Sequence, residues 1–126
     1  MATKRVLIID DDQEILAVAQ LTLQAVGGWN VITATSGDEG LNKAATEQPD
    51  AILLDVMMPD KDGIATLQEL QTNPVTQSIP VILMTAKVQA SDQRWFARLG
   101  VAATICKPFK AMKLHTQIAE VLGWEQ

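Results

Sequence analysis

Five short apolar segments recur along the chain, and each is followed by a stretch with the residue spacing of an amphipathic helix. The first, third and fourth segments are continuously apolar rather than alternating, which is typical of strands covered on both faces in a parallel sheet. The segments predicted as strands are Val6–Ile9, Val31–Ala34, Ala51–Leu54, Val81–Met84 and Ala103–Cys106.

Capping and stop signals mark the ends of the predicted helices. Ser36 and Glu39 form a capping box that begins the second helix, and Gly28 ends the first. The other predicted ends are Asn73 for the third helix, Ser91 and Gly100 for the start and end of the fourth, and Gly123 for the end of the fifth. Five strand–helix units predict an α/β fold, a three-layer αβα sandwich around a parallel sheet.

Size and composition narrow the class of protein. The 126 residues, 48% of them hydrophobic, fit one domain over residues 1–126 with a core from about 4 to 123, and we expect no output domain. A net charge of −5 argues against a nucleic-acid partner, which usually requires a basic patch. Every apolar run is far shorter than the ~20 residues of a membrane span. Together with a single cysteine, Cys106, these features predict a cytoplasmic protein that binds neither nucleic acid nor membranes.

Polar residues follow four of the five predicted strands where each strand ends. Asp10 and Asp11 follow the first strand and Asp55 follows the third. Thr85 follows the fourth strand and Lys107 the fifth. Because ligands of parallel α/β sheets bind beyond the carboxyl ends of the strands, we expect these side chains to converge on one site.

Three carboxylates at one site have a direct chemical consequence. Two unit charges ~5 Å apart repel by about 3 kcal/mol at an effective dielectric constant of ~20, so the site needs a cation or shifted pKa values. Carboxylate oxygens suit Mg²⁺, which also accepts phosphate oxygens as ligands. A carboxylate can itself be the nucleophile of phosphoryl transfer, while a metal ion, a lysine and a hydroxyl bind the phosphoryl oxygens. The residues therefore predict formation of an aspartyl phosphate.

The segments VLIIDDD, AILLDVMMPDKDG, IPVILMTA and CKPF, in this order, resemble the receiver domain of two-component response regulators. The resemblance covers essentially the whole chain and implies the strand order 2-1-3-4-5 and a cis Lys107–Pro108 bond. It also implies a role for each site residue. Asp55 would be the phosphoacceptor and a metal ligand, Asp11 would bind Mg²⁺ directly, Asp10 would bind it through water, and Met57 would bind it through its backbone carbonyl. Thr85 and Lys107 would contact the phosphoryl oxygens.

The resemblance also implies partners. A sensor histidine kinase or phosphotransfer protein would supply the phosphoryl group, and a separate target protein would bind the face of the fourth helix, fifth strand and fifth helix. The positions expected on that face are Gln93, Ala97, Thr104, Cys106 and Lys110. Thr104 stands where the family usually has an aromatic residue, so we expect backbone shifts to carry the signal. The chain would act as a stand-alone switch that catalyses only its own phosphorylation and dephosphorylation.

Two alternatives remain. A phosphatase of the haloacid dehalogenase type also uses an aspartate at a strand end, but it needs a second aspartate two residues later, where this chain has Met57, and it needs room for a cap domain. A degenerate receiver that only binds proteins is the other alternative, and the presence of all five strand-end residues speaks against it.

Overall fold

Strands and helices alternate along the chain in the computed structural model, which describes residues 3–58, 62–86 and 90–124 and, for residues 90–93, the backbone only. The strands are β1 Arg5–Ile9, β2 Asn30–Ala34, β3 Ala51–Asp55, β4 Val81–Thr85 and β5 Ala103–Cys106. The helices are α1 Gln13–Ala25, α2 Gly37–Glu47, α3 Gly63–Thr72, α4 Ala90–Arg98 and α5 Ala111–Leu122.

All five strands form one parallel sheet in the order β2-β1-β3-β4-β5. The continuously apolar strands β3 and β4 are buried along their whole length, and β1 is buried from Val6 onward. The edge strands β2 and β5 are only partly buried. The three-layer αβα sandwich and the strand order 2-1-3-4-5 are therefore confirmed, and the continuous apolar pattern correctly marked the central strands.

Helices cover both faces of the sheet, and each face has its own hydrophobic core. Successive side chains of β1 alternate between the two cores, because neighbouring residues of a strand point to opposite faces. On one face α1 and α5 pack through Leu23 and Ile118. On the other face α2, α3 and α4 pack through Ala44, Leu67 and Phe96. Among the described residues, no helix is long and apolar enough to span a bilayer.

The helix ends agree with the sequence signals in most places. The hydroxyl of Ser36 accepts a hydrogen bond from the backbone N–H of Glu39 (3.1 Å), but the Glu39 carboxylate accepts from the N–H of Thr35 (2.6 Å). The second hydrogen bond of the capping box is thus shifted by one residue, from the N–H of Ser36 to the N–H of Thr35. The helix α4 begins at Ala90, so Ser91 lies inside the helix and its prediction as the cap is wrong.

Candidate functional site

The strand-end side chains converge at the carboxyl edge of the sheet, as predicted. The Nζ of Lys107 lies 2.8 Å from Oδ2 of Asp10 and 3.1 Å from Oδ1 of Asp55. The register of the sheet places Asp55 beside Met84 and places Thr85, one residue further along β4, beside Cys106. Residues from β1, β3, β4 and β5 therefore meet in one pocket.

Three carboxylates of this pocket could hold one metal ion. Asp10, Asp11 and Asp55 each offer an oxygen atom, and these atoms all lie within 4.8 Å of one another. Asp10 and Asp55 are buried, whereas Asp11 is exposed, so one side of the cluster is open to water. Mg²⁺ binds through a few carboxylates and retains several water molecules, and this half-open set of oxygen ligands fits it.

Burial governs the protonation of Asp55. Desolvation raises the pKa of its carboxyl group above the usual range, and the nearby charge of Asp10 raises it further. The ammonium of Lys107 and the backbone N–H of Met57, 3.4 Å from Oδ1, favour the ionised form and offset part of this increase. A cation bound at this cluster would favour the ionised form of Asp55, which is the form that acts as a nucleophile.

Lys107 is held as a cation between two carboxylates. Burial alone would lower the pKa of its ammonium group, but the hydrogen bonds and charges of Asp10 and Asp55 outweigh burial and raise that pKa above its ordinary value. The ammonium is therefore charged at neutral pH and lies between the carboxylates of Asp10 and Asp55. The Lys107–Pro108 peptide bond is cis, as predicted.

The three adjacent acids at the end of β1 have different roles. Asp10 is fully buried, pairs with Lys107 and accepts a hydrogen bond from the backbone N–H of Asp12 (2.9 Å). Asp11 is exposed and belongs to the carboxylate cluster that could hold a metal ion. Asp12 caps α1, since its Oδ1 accepts from the N–H of Glu14 (2.9 Å) and of Ile15 (3.3 Å). The capping role of Asp12 was missed, although an aspartate directly before a helical apolar pattern is a usual N-cap signal.

Met57 lies two residues beyond Asp55, and its side chain is 62% exposed. Its backbone N–H faces the Asp55 carboxylate. The role of its backbone carbonyl as a metal ligand stays a prediction. Thr85 is completely buried at the end of β4, next to the pocket.

The pair Asp62-Gly63 has the pattern of a turn that caps the third helix, and in the structure Gly63 also positions the segment after Asp55. Its N–H donates to the carbonyl of Val56 (2.9 Å), which docks the start of α3 onto the segment that follows Asp55. A Cβ atom at this position would collide with the backbone of Asp55 and Val56. The neighbouring Asp62 caps α3 through Oδ1, which accepts from the N–H of Ala65 (2.8 Å). Glycine at residue 63 therefore keeps the end of β3 and the start of α3 in close contact.

Gly63→Ala is expected to destabilise the fold by about 1–3 kcal/mol, because overpacking against backbone atoms forces the segments apart. Displacement of Asp55 should also slow its phosphorylation, by up to about 100-fold. Urea unfolding and the rate of phosphoryl incorporation would measure the two effects. Wild-type stability together with a wild-type rate would show that the close approach has no role.

A groove opens beside the pocket, between α1 and the loop that joins β5 to α5. Its volume is about 470 Å³, and it is bounded by Ile15 and Val18 on one side and by Lys107, Pro108 and Phe109 on the other. Its wall is mostly apolar, and the acidic residues Asp12 and Glu14 also line it.

Comparison with known sequences gives a consistent result. The family model described as the response regulator receiver domain matches residues 6–119. The alkaline phosphatase synthesis transcriptional regulatory protein PhoP of Bacillus subtilis (strain 168) is 35% identical over 94% of this chain and 48% of its own length. The probable transcriptional regulator ycf27 of Guillardia theta is 34% identical over 94% of this chain and 45% of its own length. The chain thus spans about half the length of these curated relatives.

Comparison with solved structures gives the same architecture. The chemotaxis protein CheY4 of Vibrio cholerae superposes with a TM-score of 0.87 at 28% identity, over 95% of this chain and 99% of that one. The N-terminal domain of a response regulator receiver protein from Methanoculleus marisnigri JR1 has a TM-score of 0.77 at 34% identity, over 98% and 100% of the two chains.

Proposed function

Because the chain belongs to the response regulator receiver family, we propose that it is a phosphorylation switch in which Asp55 accepts a phosphoryl group. A histidine kinase or phosphotransfer protein supplies that group in the presence of Mg²⁺. The observation that carries the proposal is the Asp55 carboxylate, which lies 3.1 Å from the Lys107 ammonium and shares a cluster of oxygen atoms with Asp10 and Asp11.

The transfer step uses the ionised carboxylate of Asp55 as the nucleophile. An oxygen of Asp55 forms a new bond to phosphorus while the bond from phosphorus to the donor nitrogen breaks, and the electron pair of that bond leaves with the donor. The Lys107 ammonium stabilises charge on the phosphoryl oxygens, and Thr85 at the adjacent strand end contributes its hydroxyl. Asp10, Asp11 and Asp55, with the Met57 carbonyl, would hold Mg²⁺, which supplies positive charge at the same oxygens.

Output is assigned to the face formed by α4, β5 and α5. Thr104 on β5 is half-buried beside Ala97 of α4, at a cleft of about 190 Å³. Its β-branched side chain has few rotamers and little bulk, so we propose that backbone shifts between Thr85 and α4 carry the signal. Residues 87–89 of that connection and the side chain of Gln93, one of the expected partner positions, lie outside the described residues.

The partners and the cellular location given by the sequence stay predictions. The relatives named as transcriptional regulators are about twice as long as this chain, so the regulation that their names describe is not carried over. Action as a stand-alone switch, a cytoplasmic location and the absence of catalysis beyond its own phosphorylation and dephosphorylation stay predictions.

Incubation with acetyl phosphate and Mg²⁺ tests the proposed function directly. We expect the intact protein to gain the mass of one phosphoryl group, which EDTA prevents and hydroxylamine removes, because an acyl phosphate is labile to that nucleophile. Release of free phosphate over many turnovers without a phosphoprotein would instead favour the phosphatase alternative. If neither labelling nor phosphate release is observed, the result would favour the alternative of a degenerate receiver that only binds proteins.

A further inference from the structure

The strand β2 forms one edge of the sheet, so half of its backbone hydrogen-bonding groups face away from β1. In a strand, the N–H and C=O of one residue point to the same side, and those of the next residue point to the opposite side. The N–H of Asn30 and the C=O of Ala34 form hydrogen bonds (2.8 and 3.0 Å) with the residues that flank β1. The backbone groups of Val31 and Thr33 and the N–H of Thr35 therefore face the open edge.

The strand β2 lacks the features that usually keep an edge strand from pairing with another chain. Those features are charged side chains, prolines and bulges within the strand. Residues 26–37 contain no charged residue and no proline, and three β-branched side chains follow one another at positions 31–33. All five residues of β2 pair with β1 in continuous register. Such a segment favours strand pairing, so protection of this edge has to come from another element.

Two side chains of α2 bind the backbone groups that face the open edge. Oε1 of Glu39 accepts a hydrogen bond from the N–H of Thr35 (2.6 Å), and Nζ of Lys43 donates to the C=O of Thr33 (2.6 Å). Residues four apart share one flank of a helix, and Nζ of Lys43 lies 3.7 Å from Oε2 of Glu39. The hydrogen bond from Thr35 and the charge of Lys43 lower the pKa of Glu39, so this carboxylate is ionised at neutral pH. We call Glu39 and Lys43 the edge pair.

The groups that the edge pair binds are those that an added strand would use. A residue of a parallel neighbour donates to one carbonyl and accepts from the N–H two residues further along, which is the relation between Thr33 and Thr35. In an antiparallel neighbour, one residue bonds to both the N–H and the C=O of the residue opposite. The carbonyl of Thr33, to which Lys43 donates, is needed in that arrangement too. The edge pair thus competes with a strand of either direction.

We propose that the edge pair keeps β2 closed to pairing with β2 of a second copy of this chain. Twofold association would bring the same uncharged strand against itself in the antiparallel direction, so each copy would offer the groups that the other needs. With Thr33 at the centre, the Lys43 ammonium groups of the two copies would also meet and repel each other. The inference goes beyond the phosphorylation switch, because neither residue of the edge pair belongs to the pocket around Asp55.

The experiment compares the self-association of the full chain with that of two variants of unchanged net charge. Glu39→Ala with Lys43→Ala removes the edge pair, and Lys113→Ala with Glu120→Ala makes the same changes at exposed positions of α5. Sedimentation equilibrium should give the edge variant a dimer association constant roughly 10- to 100-fold above wild type, as expected when about two hydrogen bonds become available. The α5 variant should match the wild type. Lys43→Ala alone, which keeps the caps of α2, should show a smaller increase.

Amide hydrogen exchange identifies the surface through which the copies associate. In the edge variant, the amides of Val31, Thr33 and Thr35 should exchange quickly at low protein concentration and more slowly as dimers form. In the wild type and in the α5 variant, exchange at these three amides should not depend on protein concentration. Slower exchange at alternate residues of β2 is a result that association through a helix face would not produce.

Several results would overturn the proposal. One is an edge variant and a Lys43→Ala protein that are both as monomeric as the wild type, and another is equal association of the edge and α5 variants. Association that leaves the three β2 amides unchanged would place the contact elsewhere. Slow exchange of these amides at every concentration would show that a segment of the same chain covers the edge. The proposed function is tested separately, since acetyl phosphate should label the edge variant as it labels the wild type, and failure to label either one concerns Asp55 alone.

Discussion

Asp55→Asn is expected to abolish phosphoryl incorporation completely and to make the folded protein more stable. The amide nitrogen and oxygen of asparagine cannot replace an ionised carboxylate as the nucleophile, so labelling by acetyl phosphate or by a phosphohistidine donor should fall to background. Intact-protein mass spectrometry after incubation with donor and Mg²⁺ measures the loss. Labelling of the variant on another residue would show that the site assignment is wrong.

The gain in stability follows from the raised pKa of Asp55. Burial and the charge of Asp10 make ionised Asp55 less favourable in the folded than in the unfolded chain, and Lys107 offsets only part of this. Ionised Asp55 therefore destabilises the fold at neutral pH. This penalty is full above the folded-state pKa, decreases as the pH falls through it, and vanishes only below the lower pKa of the unfolded chain, where the carboxyl group is protonated in both states. The stability difference between variant and wild type should thus shrink as the pH falls.

Asp11→Asn is the matched control for this stability effect. Asp11 is exposed, so the same chemical change should alter the metal-free stability little while reducing the stabilisation by Mg²⁺. Urea unfolding at several pH values, with and without Mg²⁺, distinguishes the two variants. An Asp55→Asn protein less stable than the wild type at neutral pH would contradict the interpretation of the buried carboxylate.

The sequence was sufficient to locate the site because two physical rules act together. Continuously apolar segments must be covered on both faces, and parallel strands end at the same edge, so the residues after β1, β3, β4 and β5 had to meet. The strand order came from the resemblance to receivers, because right-handed crossovers alone allow more than one order. The sequence did not show that Lys107 pairs with both Asp10 and Asp55. The positions of residues at strand ends indicate that they lie close together, but not which atoms form ion pairs.

Close contacts between backbone segments could not be predicted from the sequence. Gly63 appears as an ordinary turn residue, and its need for glycine comes from the backbone of Asp55, which packs against it. Val26 and Val121 continue the apolar helical spacing, three residues after Leu23 and seven after Leu114, but they are 42% and 41% exposed. Both lie at the C-terminal end of a helix: Val26 directly follows α1, and Val121 is the penultimate residue of α5. Periodicity gives the direction of a helix face and not the length over which a neighbour covers it.

Lys107→Met is expected to lower the free energy of unfolding by about 2–4 kcal/mol in the absence of divalent metal. The substitution keeps most of the aliphatic volume but leaves Asp10, fully buried, and Asp55, 3% exposed, without their shared cation. Removing one partner of a buried ion pair typically costs about 3–5 kcal/mol, and the Lys107 side chain is 18% exposed, which reduces the figure. The pKa of Lys107 is raised in the folded protein, so the wild-type contribution is fully present at pH 7 and is lost only at strongly alkaline pH.

Added Mg²⁺ should restore much of this loss, because a divalent cation at the carboxylates replaces the missing positive charge and stabilises the fold by its binding free energy. The increase in stability per added Mg²⁺ should therefore be larger in Lys107→Met than in the wild type. Phosphorylation should still be slower than in the wild type, because the ammonium no longer balances charge on the transferred group. Lys110→Met, at an exposed lysine three residues away, is the control and should change neither stability nor rate. A Lys107→Met protein that is as stable as the wild type without Mg²⁺ would show that Asp10 and Asp55 are protonated or hydrated there, and that Lys107 does not hold the pocket together.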